Sequence, residues 1–288
     1  MIERWARPLT GLWNGLAEAL RAIYRALGGV GRLLQDLLNG VWLGHPLHAV
    51  IVDVVVGAAT AALLLDVLRV FFGVDGLEVA TTWIVALTFV SGLGAILSGL
   101  TDFKDTSAGD DRNVVGLHGL INIVGALGIG LSLWLRLVDS HDSGFWAFLA
   151  GYAVISVGAY IGGHVVYKFG YMVNRNAFAR GKKAKEWTAV LPATSLFDNT
   201  PTKASLGATS LVVVRRGDVV HALKENCSHV GGPLSEGTLE GDTIVCPWHQ
   251  SAFRLTDGTV RHGPAQSRQV AYHARINGDQ VEVSGPME

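Results

Sequence analysis

The chain has 288 residues, with 23 Lys and Arg against 24 Asp and Glu, so its formal net charge is −1. Only 16% of the residues are charged, against about 25% in soluble domains, and the mean hydropathy is +0.34. This composition excludes a disordered chain, a nucleic-acid binder driven by net charge and an ordinary soluble enzyme. Two cysteines, Cys227 and Cys246, are too few for a disulfide-stapled secreted scaffold.

The N-terminal segment, residues 1–40, predicts amphipathic helices. Apolar side chains recur at helical spacing from Leu9 to Leu27, and polar ones such as Glu18 and Arg21 fall on the other face. A helix of this kind suits the membrane surface, so we expect it to lie at the interface. The alternative is a helix whose apolar face packs on the protein itself.

Residues 41–170 contain four apolar stretches. A helix that crosses a bilayer needs about 20 mostly apolar residues. The predicted spans are 46–72, 79–101, 114–135 and 145–167. Asp66 and Arg69 lie near the far end of the first span and reach the interface, whereas Asp53 is deeper. The pattern predicts a four-helix transmembrane bundle.

The basic residues are concentrated at one end of the predicted spans. With four spans, both termini and the 102–113 loop share one side, which also carries the basic segment 171–185, predicted as a linker. Loops rich in Lys and Arg remain in the cytoplasm. We therefore expect a multi-pass protein of the bacterial inner membrane with both termini in the cytoplasm.

Residues 186–288 have the composition of a soluble domain and carry four metal-ligand side chains. Cys227 and His229 form a C-x-H pair, and after sixteen intervening residues Cys246 and His249 form a C-x-x-H pair. Two thiolates and two imidazoles on paired loops hold either a structural zinc ion or a 2Fe-2S cluster. The surrounding β-rich runs predict an all-β domain. These runs are 211–215, 218–223, 241–245, 252–255, 259–261 and a hairpin at 275–283.

The residues around the four ligands resemble the Rieske family. The resemblance rests on the glycines and Leu234 after the first pair, Pro247 in the second, Asp257-Gly258, and Gly263-Pro264-Ala265 as the proline loop. It implies a 2Fe-2S cluster with the two cysteines on the inner iron and the two histidines on the outer one. It also implies single-electron transfer. The predicted fold class is α + β multidomain: a four-helix transmembrane bundle followed by an all-β Rieske domain at 186–288.

Two departures from the Rieske pattern bear on the reduction potential. High-potential members carry two further cysteines in a disulfide, which this sequence lacks. Ser251 fits the pattern of those members, but Gln250 stands in place of Gly and Phe253 in place of Tyr. The resemblance therefore implies the ferredoxin-like branch and an intermediate or low potential.

A Rieske oxygenase is not expected. Its catalytic domain needs a soluble iron site of two histidines and one carboxylate, and the sequence given ends shortly after the Rieske segment. The domain is instead interpreted as a redox-active component of an oxidoreductase system.

Four histidines fall near the cytoplasmic ends of the predicted spans: His45, His48, His118 and His164. Polar groups within a bilayer are costly and are treated first as functional. Two histidines on facing helices ligate a b-type haem. The same cluster suits a quinone headgroup or a metal ion, and a hydrogen-bonded polar cap without a ligand is the remaining interpretation.

The spans also resemble a family of bacterial four-span membrane proteins whose activity is not settled. The motifs are Gly44-His-Pro-Leu-His48, Leu100-Thr-Asp102, Leu117-His-Gly119 and Gly162-Gly-His164. The resemblance supports the topology and does not decide between haem and quinone.

Together these patterns predict a membrane-anchored electron-transfer protein. Single electrons would pass between a soluble cytoplasmic partner and a haem b or quinone at the membrane face. The alternatives are a redox-sensing domain that regulates a four-span transporter or channel, and a plain membrane-tethered ferredoxin. Membrane lipid is an expected partner, nucleic acid is not, and a homo-oligomer is left open.

Overall fold

The structure is a computed structural model that describes residues 2–177 and 184–287. It divides into two compact units. One contains residues 2–31 and 46–170, and the other contains residues 32–45, 171–177 and 184–287. The second unit therefore includes an N-terminal segment that the sequence analysis divided between the N-terminal helices and the bundle.

Seven α-helices lie in the described part of the chain. They are α1 Ile2–Ala6, α2 Thr10–Ala26, α3 Gly28–Asn39, α4 Leu47–Phe72, α5 Glu78–Phe103, α6 Asp110–Leu137 and α7 His141–Phe169. The helices α4 to α7 are long and apolar enough to cross a membrane. The four predicted spans are confirmed as helices.

The helix ends differ from the predicted spans by up to four residues. The helices α6 and α7 each begin four residues before the apolar stretch, with polar residues such as Asp110 and His141 in the first turn. Hydropathy marks only the apolar part of a helix, whereas main-chain hydrogen bonding continues beyond it. At the start of α4, Pro46 is itself the N-cap, so His45 precedes the cap.

Glycines allow two helices of the bundle to approach closely. The helices pack in chain order, α4 on α5, α5 on α6 and α6 on α7. A Cβ atom added to Gly128 of α6 would lie 3.0 Å from the Cα of Gly151 of α7. Small residues at such positions permit the van der Waals packing that holds membrane helices together.

Helix α2 packs on the first unit through one apolar face. Trp13 and Ala17 are buried there against Phe103 of α5. This face of α2 therefore packs on the protein itself, which was the alternative to the membrane surface. Other apolar side chains of α2, such as Leu12 and Ile23, remain exposed. Those exposed side chains are available to the membrane surface.

The second unit contains two antiparallel sheets among its described residues. The strands are β1 Ala184–Pro192, β2 Thr202–Leu206, β3 Thr209–Arg216, β4 Val219–Lys224, β5 Thr238–Glu240, β6 Thr243–Val245, β7 Ala252–Arg254, β8 Val260–His262, β9 Ala271–Asn277 and β10 Gln280–Gly285. The first sheet has the order β1-β10-β9-β4-β3-β2, and the second has the order β5-β6-β7-β8. The predicted all-β domain is confirmed, and the predicted hairpin at 275–283 is formed by β9 and β10.

The predicted basic linker, 171–185, is described only in part, because residues 178–183 lie outside the described residues. The part before this gap is packed on the second unit. The Arg175 main-chain nitrogen donates to the Ser228 oxygen at 3.0 Å, and the Asn176 side chain donates to Gln269 Oε1 at 2.8 Å. Residues 171–177 therefore belong to the folded unit that follows them.

Candidate metal centre

Two tight loops of the second unit carry the four predicted ligands. In the first, the Gly231 nitrogen donates to the Cys227 oxygen at 2.8 Å and the Cys227 nitrogen donates to the Gly232 oxygen at 2.9 Å. In the second, the Gln250 nitrogen donates to the Cys246 oxygen at 3.1 Å. Each loop thus turns back on its own cysteine, which fixes a Cys and a His on one short turn.

The four side chains lie in two pairs. The thiols of Cys227 and Cys246 are buried and hydrogen-bonded to each other. The rings of His229 and His249 have centroids 5.2 Å apart and an interplanar angle of 89°. The structure therefore brings together the sulfur donors as one pair and the nitrogen donors as another.

The hydrogen bond between the thiols separates their proton affinities. It raises the pKa of Cys227 well above its ordinary value, and burial raises that pKa further. It lowers the pKa of Cys246 to about 7. Metals are ligated by the thiolate form, so cluster binding has to release the thiol protons of this pair.

This paired arrangement fits a two-iron cluster better than zinc. Within residues 2–177 and 184–287, no three His, Cys, Asp or Glu side chains converge as a site for one metal ion. A structural zinc ion needs four ligands around one centre. A Rieske cluster distributes two sulfur and two nitrogen ligands over two irons.

Gly232 leaves the space that the second cysteine needs. A Cβ atom added to Gly232 would lie 2.7 Å from the sulfur of Cys246 and 3.1 Å from the ring of Trp248. A side chain at this position would push the cysteine out of place. This close approach gives a physical reason for one of the glycines that follow the first ligand pair.

The loop Gly263-Pro264-Ala265 is fastened to the second ligand loop. The Ala265 nitrogen donates to Ser251 Oγ at 3.1 Å, and the Ser251 side chain hydrogen-bonds Cys227. Gly263 adopts a φ of +100°, and a Cβ atom there would lie 2.6 Å from the Ser251 Cα. Ser251 therefore connects the proline loop to a cysteine of the site.

A segment far away in the sequence also holds the proline loop. The Asp36 carboxylate accepts hydrogen bonds from His262 Nδ1 at 2.7 Å and from the Gly263 nitrogen at 3.0 Å. Gln266 Nε2 donates to the Asn39 oxygen at 3.2 Å. The sequence analysis missed these contacts, because no local pattern links residue 36 to residue 263.

A buried polar network supports the first ligand loop. Gln269 Nε2 donates to the Asn226 oxygen at 2.8 Å, and Asn176 donates to Gln269 Oε1. Glu225 is buried and accepts hydrogen bonds from the Ser235 nitrogen at 3.1 Å and from Ser235 Oγ at 2.5 Å. These contacts fix the main chain beside Cys227, and they too were missed from the sequence.

Among the three predicted histidines of the first unit, the structure brings His48 and His118 together and pairs His164 with another residue. His48 and His118 have ring centroids 6.3 Å apart. His164 Nε2 instead lies 3.1 Å from Glu3 Oε1 of α1. His45 belongs to the segment that groups with the second unit. Two carboxylates lie on the same helices as these histidines or on a neighbouring one: Asp53 is exposed and Asp102 is buried.

A buried ion pair at the other end of the bundle was also missed. Asp66 of α4 and Arg136 of α6 are fully buried, and Arg136 Nη1 donates to Asp66 Oδ1 at 3.1 Å. Arg136 Nε also donates to Ser132 Oγ at 3.2 Å. The sequence analysis placed Asp66 at the interface, whereas the structure places it inside the bundle.

Comparisons with known proteins agree with both units. Residues 186–274 match the family model of the Rieske [2Fe-2S] domain, and residues 44–175 match that of a predicted membrane protein (DUF2231). These matches and the four apolar helices define a membrane protein with an iron–sulfur domain.

Two curated relatives are ferredoxins. Ferredoxin CarAc of Metapseudomonas resinovorans is 33% identical over 100 residues, which cover 34% of this chain and 94% of that protein. The anthranilate 1,2-dioxygenase ferredoxin subunit of Burkholderia cepacia is 30% identical over 99 residues, which cover 34% of this chain and 92% of that protein. The chain belongs to the Rieske family, with a DUF2231 membrane domain before the Rieske domain.

A solved structure was also matched. It is a complex of reduced oxygenase and oxidised ferredoxin in carbazole 1,9a-dioxygenase, 31% identical. The match covers 36% of this chain and 97% of that chain, with a TM-score of 0.33. The family assignment rests on the sequence matches, and a Rieske domain implies a 2Fe-2S cluster.

Proposed function

We propose that this protein is a membrane-anchored electron carrier whose 2Fe-2S cluster is held by Cys227, Cys246, His229 and His249. The two cysteines would hold the inner iron and the two histidines the outer one. The observation that carries the proposal is the arrangement of the donors in a sulfur pair and a nitrogen pair. The cluster would accept and release one electron at a time.

The ligand set determines the charge of the site. Two ferric ions and two sulfides carry +2, and two thiolates bring the oxidised site to zero, whereas four thiolates would bring it to −2. An electron enters a neutral site more easily than a negative one, so the histidines raise the potential. Phe253 brings no hydroxyl group, and we therefore expect a potential below that of the high-potential Rieske proteins.

The second ligand loop offers an exit for the electron. His229 is buried, but His249 is partly exposed and the neighbouring Trp248 is 54% exposed. An exposed aromatic ring beside a redox centre suits docking of another protein, because such rings are enriched in interfaces. We propose that a soluble redox partner docks over Trp248 and His249, as the ferredoxin relatives suggest.

The proposed partner is cytoplasmic, because the basic residues favour a cytoplasmic location for both termini. Lys104 and Arg112 lie in the connection and first turn between α5 and α6, and Lys168 lies in the last turn of α7. The opposite end has Arg69 and Arg136. This bias is the positive-inside pattern, which supports the cytoplasmic side, and the bacterial ferredoxin relatives favour the inner membrane of a bacterium as the location.

The proposal includes a second redox group at the membrane face, either a haem b or a quinone. The paired rings of His48 and His118 in the bundle support it. The protein would then connect a soluble electron carrier with the membrane.

The proposal is tested by the content and spectrum of the full chain purified without oxygen. We expect two irons and two acid-labile sulfides per chain, and an EPR signal that appears on reduction. Cys246→Ser should abolish both. A chain that contains one zinc ion and no sulfide would contradict the proposal.

A further inference from the structure

The helices α4 and α6 each carry a histidine near one end and a charged residue near the other, at the same spacing. Asp66 follows His48 by 18 residues, and Arg136 follows His118 by the same number. Eighteen residues are five turns of an α-helix and rise about 27 Å, so each polar pair of residues lies on one face of its helix. These two faces meet at both ends, as a ring pair and as a buried ion pair.

The two rings of the pair have equivalent surroundings. His48 Nδ1 lies 2.9 Å from the Ala95 oxygen of α5, and His118 Nδ1 lies 2.9 Å from the Gly158 oxygen of α7. The residue four positions after each of these carbonyls is a glycine, Gly99 or Gly162. A Cβ atom there would lie 3.0 Å from the Cε1 of His48 or 2.8 Å from that of His118. Each ring therefore fills the space that a missing glycine side chain leaves on the neighbouring helix, and we call these two spaces the glycine notches.

The carbonyl contacts determine which ring nitrogen is free to bind a metal. A carbonyl oxygen only accepts, so each Nδ1 carries the proton and each Nε2 has the lone pair. The Asn122 amide nitrogen is 3.2 Å from His118 Nδ1, but it donates to the His118 main-chain oxygen at 2.8 Å. A histidine whose Nδ1 donates to a carbonyl is the usual form of a metal ligand.

The spacing of the rings suits one iron between them. When the two Nε2 atoms face each other across the iron, two metal–nitrogen bonds of about 2.0–2.1 Å, each extended by about 1.2 Å to the ring centre, place the centroids about 6.4 Å apart. The observed separation is 6.3 Å. A bare ion would need further protein ligands, and no third His, Cys, Asp or Glu joins the pair in the described parts of the chain. Haem iron needs only two axial ligands from the protein.

We propose that His48 and His118 are the axial ligands of a b-type haem within the bundle. His45 and His164, equally eligible from the sequence, are not ligands. The proposal that these two histidines bind haem does not depend on the Rieske domain. The role of that haem as the membrane-side redox group rests on the proposed function.

The proposal is tested with the full chain in detergent, produced in cells supplied with a haem precursor. We expect about one haem b per chain and a low-spin spectrum in the oxidised state. His48→Ala and His118→Ala should each lower the haem content at least tenfold. His164→Ala is the matched control and should retain the haem.

A rescue experiment separates loss of a ligand from loss of the fold. In His118→Gly, added imidazole should restore the low-spin spectrum, because it replaces the missing ring in the cavity. Helical circular dichroism and size-exclusion elution would show that the bundle is intact. Cys246→Ser should lose the cluster signal and keep the haem, so the two proposals fail separately.

Three results would overturn the proposal. One is a full chain that contains no haem and takes up none when haemin is added. Another is an unchanged haem spectrum in either alanine variant of the pair. The third is an equal loss of haem in His164→Ala, which would mean that the loss does not depend on the ligands. A chain that binds a quinone but no haem would also overturn the proposal.

Discussion

Each of the two units contains a pair of histidines whose rings are nearly perpendicular, but the two pairs are brought together in different ways. His229 and His249 are twenty residues apart and are held by two short turns, with a centroid separation of 5.2 Å. His48 and His118 are seventy residues apart and lie on two different helices, α4 and α6. The packing of the bundle brings their ring centroids to 6.3 Å. A short-range motif therefore identifies the first pair, whereas only the fold selects the second from four histidines.

The largest expected effect concerns the charge of the first pair. His229→Cys should keep a cluster but lower its potential by about 100–300 mV, because a thiolate adds a negative charge. A redox titration followed by EPR measures the shift. The control His273→Cys, on an exposed position of β9, should leave the potential unchanged. An unchanged potential in His229→Cys would mean that His229 is not a ligand.

At the far end of the bundle, α4 and α6 are joined by the buried ion pair of Asp66 and Arg136. Asp66→Asn should lower the free energy of unfolding by about 3–5 kcal/mol, because Arg136 would remain buried without its carboxylate. Unfolding of the detergent-solubilised protein measures this loss.

The control for the ion pair is Asp142→Asn. Asp142 pairs with Arg69 at 2.8 Å, but its side chain is 85% exposed. Exposed pairs contribute about 0–1 kcal/mol. Equal losses in the two variants would mean that the buried ion pair of Asp66 and Arg136 contributes no more to stability than an exposed one.

The next largest effect concerns Asp36, which lies outside the ligand motif but holds the proline loop Gly263-Pro264-Ala265. Asp36→Ala removes the acceptor of the Gly263 amide and of His262. Hydrogen bonds to a charged group contribute about 1.5–3 kcal/mol, so amide exchange at Gly263 should become about 10–100 times faster. Asp242→Ala, which removes a more exposed carboxylate in the same unit, should leave this rate unchanged.

A smaller effect is expected at Gln250, which has a φ of +64°. This left-handed conformation is strained for a residue with a Cβ atom and costs about 1–2 kcal/mol, part of which is offset by the flexibility of Gly in the unfolded chain. Gln250→Gly should therefore stabilise the second unit by about 0.5–1 kcal/mol in denaturant unfolding. Gln280→Gly, in strand β10, should have the opposite sign.

The smallest expected change in potential concerns Phe253, which is buried in the same apolar core as both cysteines. Phe253→Tyr should raise the potential by about 40 mV, which corresponds to one hydrogen bond of about 1 kcal/mol to the reduced site. Tyr272→Phe, in the other core of the unit, should not change the potential. No shift in Phe253→Tyr would mean that the hydroxyl does not reach the sulfur atoms.

The sequence predicted the elements whose patterns are local. The four helices were found because each contains an uninterrupted apolar stretch, and Asn277-Gly278 indicated the hairpin of β9 and β10. The strands β1, β2 and β5 were missed. Each of them forms the edge of a sheet, where only one neighbour shapes the sequence pattern.

The supports of the site could not be predicted in the same way. Asp36 reaches Gly263 across more than 200 residues, and Asp66 meets Arg136 across 70. Their sequence neighbours contain no signal of these contacts. The glycine notches at Gly99 and Gly162 likewise acquire a meaning only when the opposing histidine is known.

Pulsed EPR of the reduced full chain, with ¹⁵N introduced only at histidine, tests whether two cysteines and two histidines share one cluster. We expect two ¹⁵N couplings to the cluster, one of which should be lost in His229→Cys. A reduced cluster without histidine nitrogen couplings would mean that the histidines do not ligate it.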